Sequence, residues 1–217
     1  VRNLGLPTDL EGALAVLWSG TDRKLDLGYL HAEDPRQGEH FVVMAGMGFD
    51  AAMMEDAPEK LKERLGWAAY IVSGAKHLTE RGFRVQIRVD EGPWLRRLAR
   101  GVLVGNVGRL QGGLQLLPDA VPDDGVLDVA VLAPRNLRDW AVLAWHVISG
   151  RQDHAGHRLE TFRGRRVSVR TDQPQHRQLD GDVVAPATHL GAEIRPAALT
   201  LRVPTRDHTT SRSEGVR

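Results

Sequence analysis

Cysteine is absent from all 217 residues, which excludes disulfides, thiolate metal sites and cysteine nucleophiles, and fits a reducing cytosol. Lysine is scarce, confined to positions 24, 60, 62 and 76, so the cations are mostly arginine. A bias of charge is missing too: 29 Lys plus Arg stand against 28 Asp plus Glu, a formal net charge of +1. No global field therefore advertises nucleic acid as a partner. No run approaches the roughly 20 apolar residues that would span a bilayer. The start, VRNLGLPTDLEG, lacks the basic region and apolar stretch of a signal peptide. A Gly-Lys-Ser/Thr loop is also lacking, so no phosphate-binding loop is recognisable. Internal repeats and low-complexity blocks do not occur.

What is present is long enough for one large domain or two small ones with a sizeable apolar core. Thr8 and Glu11 read as a capping box ahead of Leu10, Ala13, Leu14, Leu17 and Trp18, an amphipathic helix ending at Gly20. RKLDLGYL (23–30) and HFVVMAGMGF (40–49) read as strands joined by a polar loop around Asp34-Pro35. Residues 58–80 place Trp67, Tyr70, Ile71, Ala75 and Leu78 at helical spacing, with a soft break at Gly66, and predict an inserted helical pair. FRVQIRVD alternates, with Phe83, Val85, Ile87 and Val89 on one face and Arg84, Gln86 and Arg88 on the other, as in a half-buried antiparallel strand. WLRRLARGVLVGNV supplies one or two more strands and GVLDVAVLA (125–133) another. Asn136 caps a further helix through Leu137, Trp140, Ala141, Ala144, Trp145 and Ile148. RRVSVR, RQLDGDVV, HLGAEIRP and ALTLRVP return to strand and turn, and residues 205–217 lack apolar periodicity, as a disordered tail does. The sum is mostly β: an α+β body of antiparallel strands, sandwich-like, with helices inserted at two places.

Several segments carry candidate chemistry. GMGFDA (46–51) fits Gly-x-Gly-x-x-Ala, but no helix opens there and no acidic residue follows about 20 positions on, so a glycine-rich strand end is the better account. LPDAVPDDGVLDV (117–129) gathers Asp119, Asp123, Asp124 and Asp128 around Gly125. It fails the EF-hand template, yet a turn with one carboxylate and free carbonyls could hold a hard cation such as Mg²⁺; a plain acidic turn is the alternative. His154 and His157 stand three apart without a third ligand and read as loop histidines. RLETFRGRRVSVR is either the wet face of a strand or a surface for phosphate or anionic headgroups. HRQLDGDVV (176–184) sets Asp180 and Asp182 either side of Gly181. Asp-Gly is a strong two-residue hairpin signal, and the open question is whether that turn also presents a catalytic carboxylate.

Read in order, RNLGLPTDLEGAL, RKLDLGYL, FVVMAGMGFDA, GNVGRLQGGLQLLPDAVPDDGVLDV, LDGD and EIRPAALTLRVP resemble the bacterial diacylglycerol kinase and sphingosine kinase-like lipid kinases, from residue 1 to about 204. The resemblance implies the C-terminal part of a two-domain plan shared with NAD kinases, a β-sandwich with helical insertions. It implies residues 1–22 as a linker helix from a nucleotide-binding domain, 23–204 as the lipid-binding sandwich, and an ATP-binding half that this chain does not contain. It further implies Asp182, with Asp180 beside it, as the base that deprotonates the lipid hydroxyl attacking the γ-phosphate; many relatives have Glu at position 182. Asp124 with the carbonyls of Val121 and Val126 would hold a structural Mg²⁺. The partners implied are ATP, bound mainly by the other domain, and diacylglycerol or a related lipid alcohol at the inner membrane face, which a cytoplasmic protein would touch peripherally, with Trp67 and Tyr70 either interfacial or core. A homodimer is a further assembly to expect; nucleic acid is not. Two rival readings are a soluble NAD kinase-like phosphotransferase and a non-catalytic lipid-binding module. On any kinase reading the chain alone should be inactive.

Overall fold

The computed structural model describes residues 5–31, 38–48, 82–108, 116–149 and 158–205. The helical pair expected at 58–80, with Trp67 and Tyr70, lies outside those residues, as do His154, His157 and positions 206–217.

Among the described residues ten strands form a continuous antiparallel sheet: β1 (Thr21–His31), β2 (Glu39–Phe41), β3 (Met44–Met47), β4 (Phe83–Val89), β5 (Leu95–Ala99), β6 (Gly101–Gly105), β7 (Leu127–Leu132), β8 (Leu159–Gly164), β9 (Arg166–Leu179) and β10 (Asp182–Val203). Their order is β2-β1-β10-β9-β3-β6-β7-β8, with the β4–β5 hairpin also joined to β9. β9 is the pivot: residues 167–171 pair with β4, while residues 177–179 pair with β3. Splitting one strand between two neighbours lets the sheet fold over itself as a sandwich, and Leu30, Phe41, Val85, Ile87, Val104, Val129, Val169 and Leu190 meet in one core. The expected fold class holds.

A second core lies on the other face of β3, β6 and β7. There Met44, Leu103, Ala130 and Leu132 pack with Leu116, Leu117 and with Trp140 and Leu143 of helix α2 (Leu137–Ser149). Asn136 caps α2 as expected, its Oδ1 accepting the Asp139 N–H at 2.9 Å. Helix α1 (Leu10–Ser19) forms, but its cap is Asp9 rather than Thr8: the Asp9 carboxylate accepts the Gly12 N–H at 2.7 Å. Amphipathic spacing does not translate into burial here, because α1 has no buried residue and Leu10, Leu14, Leu17 and Trp18 are all exposed.

HFVVMAGMGF is not one strand. It divides into β2 and β3, and residues 42 and 43 swing out of the ladder between them. The cause lies far along the chain, in the hairpin that contains Asp180.

Candidate active site

The loop joining β9 to β10 is Asp180-Gly181, with φ of 51° and 105°. Two successive positive-φ residues are what a two-residue hairpin needs to match strand twist, and Asp and Gly are the residues that tolerate it. The Gln178 side-chain oxygen closes the turn by accepting the Gly181 N–H at 2.9 Å.

The two acidic side chains of this turn have different surroundings. Asp180 Oδ2 accepts the N–H of Val42 at 2.7 Å, and its Oδ1 accepts those of Val43 and Met44 at 2.8 and 2.9 Å. Its own N–H donates back to the Met44 carbonyl at 2.8 Å. Donors that would otherwise seek a strand partner are satisfied by a carboxylate, and this is why the apolar run 40–49 breaks at 42–43. Asp182, by contrast, opens β10 with its backbone paired to Leu179, is exposed, and its carboxylate bonds to no described residue. The turn thus presents one committed carboxylate and one free.

From the Asp180 clasp a chain of side chain-to-backbone bonds runs inward. Buried Asn106 donates from Nδ2 to the Val42 carbonyl at 3.1 Å and to the Asp26 carbonyl at 2.9 Å, and its N–H donates to the Val43 carbonyl. Asp26 is buried in a bulge of β1 and accepts the N–H of Gly125 and of Ala197, each at 2.7 Å. Its own N–H donates to the Pro122 carbonyl at 2.8 Å. The network therefore connects the hairpin at 180–182 to the acidic turn at 121–126.

In that second turn Gly125 has φ of 76°. Asp124 Oδ1 accepts the Val126 N–H at 3.1 Å, and its Oδ2 is paired with Arg163 Nη2 at 2.5 Å. Arg163 Nε also meets Asp128 Oδ1 at 3.0 Å. Asp128 is buried, its Oδ2 has no hydrogen-bond partner, and its carboxyl is pushed up to about 6. Burial is the main cause, and the charges of Asp124 and Asp119 add to it against the lowering influence of Arg163. Among the described residues no three acidic or histidine side chains converge as a metal cluster. The donor set nonetheless fits Mg²⁺ in kind: it is all oxygen, with an orphaned buried carboxylate atom close by.

Residues 42–203 match a family model described as the YegS C-terminal NAD kinase beta sandwich-like domain. The chain belongs to that family. Over 183 residues it is 29% identical to a diacylglycerol kinase of Bacillus subtilis, covering 83% of this chain and 58% of that protein. Over 204 residues it is 31% identical to a "probable lipid kinase YegS-like" of Pseudomonas putida, covering 92% and 63%. A crystal structure of a Bacillus anthracis diacylglycerol kinase shares the fold, with a TM-score of 0.63 at 18% identity, covering 93% of this chain and 61% of that one. The chain thus spans about three-fifths of the length of these relatives.

Of the residues singled out from the lipid-kinase resemblance, Asp180 and Asp182 share one turn, and Asp124 lies with Val121 and Val126 in the other. Asp26 and Asn106 escaped attention. Asp26 had a readable signal, an acid between two leucines in an alternating strand. Asn106 had only its place after the Gly101–Gly105 strand.

Proposed function

We propose that this chain is the lipid-binding and catalytic-base part of an ATP-dependent lipid kinase that phosphorylates the hydroxyl of diacylglycerol or a related lipid alcohol. The reading rests on one observation above all: Asp180 binds three backbone N–H groups and so fixes the turn that carries the Asp182 carboxylate. Membership of the YegS-type family and the kinase names of its relatives support it.

In this account Asp182 accepts the hydroxyl proton as that oxygen bonds to the γ-phosphorus; the bond from phosphorus to the bridging oxygen breaks, and ADP departs with the electron pair. Phosphoryl transfer asks for positioning and charge neutralisation more than covalent chemistry, so one well-placed carboxylate is a sufficient contribution. Asp180 acts as a positioning residue: both its carboxylate oxygens are engaged by backbone N–H groups. Asp124 and the carbonyls of Val121 and Val126 would hold Mg²⁺, which would supply charge neutralisation to the acidic turn. The nucleotide would be held mainly by the portion present in longer relatives, with residues 1–22 as the connecting segment. Turnover by these 217 residues alone is accordingly not expected.

Among the described residues no helix is long and apolar enough to cross a membrane, and peripheral contact is the mode proposed. In the full-length protein, Asp182→Asn should lower kcat by about 10²–10⁴-fold, the usual worth of a general base, with the KM for ATP and the melting temperature unchanged. Undiminished turnover would refute the assignment and favour a non-catalytic lipid-binding module. Phosphorylation of NAD in place of lipid would favour the soluble phosphotransferase.

A further inference from the structure

The outward face of the β5–β4–β9 sheet carries an unusual grouping. Gln86 stands at its centre. Along β4 its same-face neighbours are Arg84 and Arg88, two residues away on either side, and across the ladders it lies opposite Arg96 of β5 and Arg170 of β9. The core-facing residues between them, Val85 and Ile87, are fully buried, so the arginines must point the other way. Directly opposed residues stand about 5 Å apart and i, i+2 neighbours about 7 Å. Four guanidinium groups therefore surround one neutral side chain.

None of the four is matched by a carboxylate among the described residues. Arg97, by contrast, on the opposite face of β5, is held by Glu160 at 2.6 Å, and Arg166 approaches Glu91 at 3.8 Å. Arg88 Nε is buried without a hydrogen-bond partner. Arg88 and Arg170 instead clasp the Trp94 ring, their guanidinium carbons 5.0 and 4.6 Å from its centre. Leu98, opposite Arg84, is 63% exposed. Like charges grouped on one sheet face oppose folding, and Asp172, which the alternation of β9 sets on this face beside Arg170, pairs with none of the four.

We infer that the Arg84–Arg88–Arg96–Arg170 face, with Trp94 and Leu98, docks on an anionic bilayer surface. The occupant follows from charge and shape. The face is a broad sheet surface rather than a cavity, so it suits an array of phosphate headgroups better than a single soluble phosphate. An indole among guanidinium groups at one end of β5, with an exposed leucine at the other, is a side-chain mixture suited to the water–headgroup boundary. This inference rests on the lipid kinase reading and adds the surface by which the enzyme would reach its substrate.

Sedimentation of the 217-residue chain with phosphatidylcholine vesicles, with and without phosphatidylglycerol, tests it. Binding should require the anionic lipid and weaken as salt rises, since each arginine near such a surface raises partitioning about fivefold. Arg84→Gln/Arg96→Gln should lower the partition coefficient about 25-fold with an unchanged melting temperature. Lys24→Gln/Arg138→Gln, an equal charge loss at exposed positions elsewhere, should leave it within about twofold. Equal loss in both pairs, or no binding to anionic vesicles, overturns the inference, as does retention on single-stranded nucleic acid in preference to vesicles. Sedimentation requires no turnover, so these failures are separable from failure of the kinase reading. That reading stands or falls on the effect of Asp182→Asn with lipid presented in detergent micelles.

Discussion

Replacing Asp180 separates its two contributions, to backbone conformation and to loop anchoring. Three main-chain N–H groups converge on its carboxylate at 2.7–2.9 Å. Hydrogen bonds to a charged group contribute about 1.5–3 kcal/mol each, but this carboxylate is partly exposed and water would replace some of what is lost. A total of about 2–3 kcal/mol is the reasonable expectation. The residue also has φ of 51°, where an ordinary L-residue costs about 1 kcal/mol and Asn much less. Asp180→Ala should therefore cost about 3–4 kcal/mol, Asp180→Gly about 2–3, and Asp180→Asn, which keeps one acceptor and tolerates the conformation, about 1–2. Urea unfolding followed by circular dichroism gives these differences directly, provided the slopes match the parent. On the proposed kinase reading, Asp180→Asn in a chain joined to a nucleotide-binding part should also lower kcat while leaving the KM for ATP unaltered, since it loosens the turn that carries Asp182. If Ala, Gly and Asn variants all fall within about 0.5 kcal/mol of the parent, a range typical of featureless surface positions, the clasp does not hold the loop and the reasoning fails.

Asp128 makes stability fall with rising pH. Its carboxyl is pushed up to about 6 in the folded protein, above the value of about 3.9 for an unfolded chain, so between these values the native state binds the extra proton. Stability should decline by up to about 3 kcal/mol from pH 4 to 6 and level off above; a melting curve of Asp128→Asn that keeps this slope would refute the assignment. Gly28 faces Phe41 across the β1–β2 ladder, and an added Cβ would lie 2.0–2.4 Å from the buried ring. Gly28→Ala should cost about 1–3 kcal/mol through overpacking, measured by denaturant unfolding, and a neutral result would mean that the ring moves freely.

Local chemistry was legible wherever its cause was local. Asp180-Gly181 makes its turn because the two residues favour positive φ, and the β4 alternation shows itself because strand periodicity sorts Val85 and Ile87 from Arg84, Gln86 and Arg88. The break at 42–43 was not legible, since the carboxylate responsible lies 138 positions away. The same holds for Asp26, whose burial between two leucines makes sense only once Gly125 and Ala197 bring their N–H groups to it. Helix α1 teaches the converse. Its periodicity is real, but pattern cannot say whether a partner covers the apolar side, and among the described residues nothing buries it. Both acidic turns could be found from sequence, whereas the Asn106–Asp26 link between them required coordinates.

The pairing of β1 with β10 sets Thr21 opposite Val203 and His31 opposite Gly191, so the first strand is completed by the last. Such closure demands that residues 21 through about 203 be synthesised before the framework can lock, and long-range pairing of this kind is slow. Refolding should thus be sluggish, and nascent chains stalled before residue 190 would lack a seat for the opening strand.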